Sequence, residues 1–88
     1  MSGQIGAELG QLQSLKKTFD ASAQKTIELK TSVHSSLEGT WWKGPAADRF
    51  RQAWASEFEP ALMKLEAALK EAGVEVNRRH DALQQAGS

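Results

Sequence analysis

Gly39-Thr40-Trp41-Trp42-Lys43-Gly44-Pro45 stands near the midpoint of an 88-residue chain and is the one place where glycine and proline punctuate it strongly. Such a cluster reads as a chain reversal. Pro45 suits the first position of a following helix, where its missing N–H costs nothing. Gly44, immediately before it, is expected to supply a close approach or a backbone angle that a side chain would forbid.

On either side the apolar residues recur at helical steps. Upstream, Ile5, Leu9, Leu12, Leu15, Phe19, Ala23, Ile27, Val33 and Leu37 fall mostly three and four apart, with Gln and Lys between them. This is one stripe on a helix over about 5–38, about 50 Å long at 1.5 Å per residue. Gly3, Gly6 and Gly10 predict frayed first turns. Downstream, Ala47, Phe50, Trp54, Phe58, Leu62, Leu65, Leu69, Ala72, Val76 and Leu83 continue at near-heptad spacing, predicting a second helix over about 46–84. Asp48 favours the positive end of its dipole. Pro60 deletes a backbone hydrogen bond inside that helix, and because the stripe continues beyond it we expect a kink near Glu57–Pro60 rather than a reversal. Gly73 weakens the last turns, and Gly87-Ser88 are expected to be disordered.

The fold class is therefore all-α: a single domain over 1–88, two antiparallel helices joined by a turn over 39–45. A lone hairpin leaves the flanks of its seam wet, yet the apolar stripes are wider than a two-position seam, as in Leu12 with Leu15 or Leu62 with Met63 and Leu65. Ordering so many residues demands more burial than one seam supplies. We expect dimerisation into a four-helix bundle, with Leu12, Phe19, Phe50, Trp54, Phe58, Leu62, Leu65 and Leu69 in the hairpin core or the dimer interface.

Composition excludes several function classes. Eleven Lys and Arg balance eleven Asp and Glu, and no basic arm or acidic tail exists, which argues against nucleic acid. Without cysteine there is no disulfide framework, thiolate zinc site or cysteine nucleophile. The first twenty residues carry Glu8, Lys16, Lys17 and Asp20 and form no Sec signal peptide, and no apolar run is long enough to span a bilayer. Stable membrane insertion is not expected. The two histidines, His34 and His80, lie on different helices, Glu75 precedes His80 by five rather than three, and no serine has a base at helical spacing apart from His34 near its serine neighbours, which face different directions. We expect neither an enzyme nor a cofactor.

Two amphipathic helices of nearly equal length, joined at the midpoint by Trp42-Lys43-Gly44, with small residues then Phe50, Trp54 and Phe58 opening the second, resemble the WXG family. These are the small Trp-X-Gly helical hairpins of type VII (ESX) secretion, and the resemblance covers essentially the whole chain. It implies a non-enzymatic substrate made in the cytoplasm and exported without a Sec signal, acting as a dimeric adaptor or targeting partner. It implies, too, a homodimer or a heterodimer with a similar hairpin, and recognition by the secretion ATPase. The signal read would be composite: the Trp-X-Gly turn of one protomer, here Trp42 and Gly44, and a Tyr-x-x-x-Asp/Glu on the partner's C-terminal helix. The chain departs from that second element, since it has no Tyr, and the nearest match by spacing is Asn77 with Asp81. Either a partner supplies the Tyr or a degenerate version is read. The residues alone also fit a non-secreted dimeric helical adaptor that binds a larger partner's helical domain.

Overall fold

The computed structural model describes residues 2–87, with side chains from Ile5 onward. Helix α1 runs Ser2–Gly39, and α2, Pro45–Ala53, opens a second long helix. That helix passes through a π-turn at Trp54–Phe58 and continues as α3, Glu59–Gly87. The two long helices pack antiparallel into a rod of 66 × 17 × 11 Å. Its radius of gyration is 19.6 Å, against about 12 Å for a compact globule of this length.

A seam two helices wide buries little. On α1 the shielded positions step by four and three without interruption from Ile5 through Leu12, Phe19, Ala23, Thr26 and Val33 to Leu37. Across from them the shielded positions are Ala47, Arg51 and Trp54, then Glu59, Leu62, Glu66, Leu69, Gly73, Val76, His80 and Leu83. Only Ala23, Thr26, Ala47, Trp54 and Gly73 are buried among the described residues.

Steps of four and three fail once in the second helix, between Trp54 and Glu59, where the step is five. The π-turn lies there: the Glu59 N–H reaches back to the Trp54 carbonyl, closing a turn that holds one extra residue. Pro60 explains its place. In an α-helix residue 60 would donate to the carbonyl of Ser56 and its ring would press on that turn; widening the turn just upstream relieves both. The expected kink is thus a π-turn, and it moves the seam by one residue. Phe58 and Leu65, which an unbroken period places with the seam, stand outside it at 47% and 49% exposure. Phe50, at 44%, joins them. These three are not core of the hairpin; Trp54 is buried, and Leu12, Phe19, Leu62 and Leu69 are half-buried.

Other expectations change as well. Helix α1 is continuous from Ser2 despite its glycines, and Gly87 is helical against Ile5, at the end where α3 meets the start of α1. Ser88 lies outside the described residues. Gly73, rather than only weakening its helix, is a contact point between helices: a Cβ there would stand 3.0 Å from Asp20 Oδ1 and 3.6 Å from Phe19 Cβ.

Candidate functional site

The turn is built from the way α1 ends. The last carbonyls of a helix lack intrahelical donors, and one side chain from α2 takes one of these together with two carbonyls of the turn that follows. Arg51 donates from Nη1 to the Trp42 carbonyl at 2.8 Å, and from Nη2 to the carbonyls of Thr40 at 3.1 Å and Leu37 at 3.4 Å. Thr40 adds a hydroxyl bond to the Ser36 carbonyl at 2.6 Å. The chain then leaves α1 and enters α2 through Gly44 at φ 115°, ψ 173°. A Cβ at Gly44 would meet nothing within 4 Å, so the demand for glycine is one of backbone conformation, not space. Pro45 follows in the first turn, the Asp48 N–H donates to the Gly44 carbonyl at 3.0 Å, and Asp48 supplies the acid of the first turn.

The two tryptophans diverge. Trp41 is 86% exposed, and Trp42, at 40%, leans on Phe50 with ring centroids 5.8 Å apart. From Phe50 the row of rings continues to Phe58 at 6.5 Å and from Phe58 to Trp54 at 6.2 Å. The row leads into an apolar groove of about 410 Å³ lined by Leu29, Val33, Trp54, Phe58, Ala61, Leu62 and Leu65. Leu29 and Leu65 are both about half exposed. The turn and one flank of the hairpin thus form a continuous apolar surface from Trp42 to Leu65.

Asn77 and Asp81 do not join it. They are exposed, one helical turn apart on α3, and lie 33 and 37 residues beyond Gly44, which is about 50–55 Å along the axis. Asp81 Oδ1 lies 3.1 Å from His80 Nδ1, and His80 Nε2 lies 3.2 Å from Gln13 Nε2 across the seam. One chain cannot bring Trp42 and Asp81 together.

Two residues of this end were not legible as such. Arg51 reads in sequence as one more polar residue between apolar ones, although its place between Ala47 and Trp54, on the seam's own steps, was the available signal. His34 joins the two helices through Glu59 at 2.8 Å and pairs with Glu38, one turn on in its own helix, at 2.9 Å. Hydrogen bonding to Glu59 first, and the charge of Glu38 next, raise its pKa above the ordinary imidazole value of 6.5. Among the described residues, no set of His, Asp or Glu side chains is placed to hold a metal ion, and no helix is long and apolar enough to cross a membrane. Nothing in the arrangement points to catalysis.

The family model for proteins of 100 residues with WXG, WXG100, matches residues 4–88. Comparison with curated proteins and with solved structures finds no match.

Proposed function

The chain belongs to the WXG100 family, small helical proteins linked to type VII secretion that pair as helical hairpins, and from that premise we propose that it is a secreted, non-enzymatic type VII (ESX) substrate acting as a dimeric adaptor or targeting partner. In this reading a second hairpin, a copy of this chain or a similar one, covers the apolar flank and completes a four-helix bundle. The secretion ATPase then reads the Trp42-Lys43-Gly44 turn. The observation that carries the proposal is the apolar surface from Trp42 through Phe50 and Phe58 to Leu65, which the hairpin leaves open beside the turn. The second part of the signal lies about 50 Å from the turn in one chain, which favours a pair of chains running oppositely, so that one protomer's Asn77–Asp81 segment, or a partner's Tyr-x-x-x-Asp/Glu, comes beside the other's turn.

Export decides it. In cells with an active type VII system, Trp42→Ala and Gly44→Asp abolish export while circular dichroism still shows a folded helical protein. Unchanged export of both folded variants removes the turn as a signal. A wild-type chain that never leaves such cells returns the protein to the role of a non-secreted adaptor.

A further inference from the structure

The groove wall formed by Trp54 is tied to the opposite, polar flank of the hairpin through a single carboxylate oxygen. Glu59 Oε1 accepts from the Trp54 indole N–H at 3.0 Å and lies 2.8 Å from His34 Nδ1, while His34 Nε2 lies 2.9 Å from Glu38 Oε1. His34 comes from α1, Trp54 opens the π-turn, and Glu59 closes it. The three residues therefore bridge both helices at the one place where the second departs from α geometry.

Both ring nitrogens of His34 face carboxylate oxygens. A neutral imidazole has one N–H and one lone pair, so it satisfies one of these carboxylates and repels the other; only the imidazolium donates to both. From these positions we infer that His34, Glu59 and Trp54 form a pH-sensitive latch that fastens the π-turn to α1 and sets the seat of Trp54 in the apolar groove. The latch is a property of the hairpin and stands whether or not a second hairpin fills that groove.

The charged groups around the imidazole are few. Glu38 lies one turn on and Lys30 one turn back on α1; from the second helix Glu59 reaches it, and Glu57 of the π-turn is exposed. Arg51, one turn before Trp54, is committed to the carbonyls of Thr40 and Trp42 in the turn. The balance facing His34 is acidic, in keeping with its raised pKa. A group whose folded pKa is raised adds stability that is complete below its unfolded value, here 6.5, and lost as pH rises through the higher folded one. The latch is thus closed in mild acid and loosens toward alkaline pH.

The test is an NMR titration of the full chain from about pH 5 to 9, following the His34 ring and the Trp54 indole N–H, the latter assigned with Trp54→Phe. The two signals share one midpoint above 6.5. Glu38→Gln lowers both midpoints together, and His34→Gln leaves the indole signal flat over the same range. If Glu59→Gln folds, its His34 midpoint falls too. An indole signal that does not follow His34, that titrates unchanged in His34→Gln, or a His34 midpoint at or below 6.5 overturns the latch.

Discussion

The carbonyls of Leu37, Thr40 and Trp42 sit where α1 runs out of donors, and the guanidinium of Arg51 meets all of them at 2.8–3.4 Å. A planar fork with donors on both arms can span several separate carbonyls of a turn; an ammonium, a point charge on a flexible stem, cannot match that geometry. Arg51→Ala therefore costs about 1.5–3 kcal/mol, the scale of hydrogen bonds to a charged group, and Arg51→Lys recovers only part of it. Urea unfolding of the three proteins measures the order wild type, Lys, Ala. Equal midpoints for all three would mean that water serves these carbonyls as well. Beyond Arg51's place on the seam's steps nothing local announces this contact, because it joins residues nine to fourteen apart across a turn whose shape Gly44 decides at φ 115°.

At the scale of the element, the π-turn decides which apolar residues face the neighbouring helix. Steps of four and three carried on from Trp54 reach Phe58, Ala61, Leu65, Ala68 and Ala72, all apolar; the seam instead uses Leu62, Glu66, Leu69 and Gly73. Periodicity therefore made the helices and their antiparallel turn legible but not the register of the seam, since an α-helical period has no place for a turn with one more residue. Pro60 marked the neighbourhood of the change without its form. Gly73 was misread for a related reason: its value lies in letting Phe19 and Asp20 approach, a contact between residues more than fifty positions apart. Register yields a prediction. Pro60→Ala removes the ring that presses on the preceding turn and lets the helix run on as α with no residue lost. Phe58 and Leu65 then turn toward α1. Circular dichroism retains its helical signal, while pairing with a second hairpin falls by at least about tenfold, roughly 1.4 kcal/mol. Undiminished pairing would show that the π-turn does not set the outer face.

The whole molecule is a rod without a closed interior. Its accessible surface is 6498 Å², while a compact monomer of 9.6 kDa exposes about 5,100 Å². The excess of roughly 1,400 Å² exceeds the ~800 Å² per partner of an ordinary stable interface. Charged side chains do not occupy the open flank evenly: Leu29, Phe58, Ala61 and Leu65 line its groove, and the ion pairs His34–Glu59 and Lys70–Glu66 lie off it. A second hairpin laid on that flank would bury the aromatic row without disturbing the seam beneath. Phe58→Asp with Leu65→Asp separates the two layers of packing, because both side chains are about half exposed in the single hairpin. For a chain that pairs with its own copy, light scattering gives twice 9.6 kDa for wild type and 9.6 kDa for the double variant at the same concentration. The variant keeps its helical signal at low temperature, since each hairpin keeps its seam, but it melts earlier because the linkage between folding and association is gone. A wild-type chain that is monomeric and poorly helical alone moves the same experiment to a mixture with a similar hairpin carrying Tyr-x-x-x-Asp/Glu, where the double variant fails to gain helix and wild type gains it. If instead the double variant keeps the wild-type mass, the flank that carries Phe58 and Leu65 is not the face on which the bundle closes.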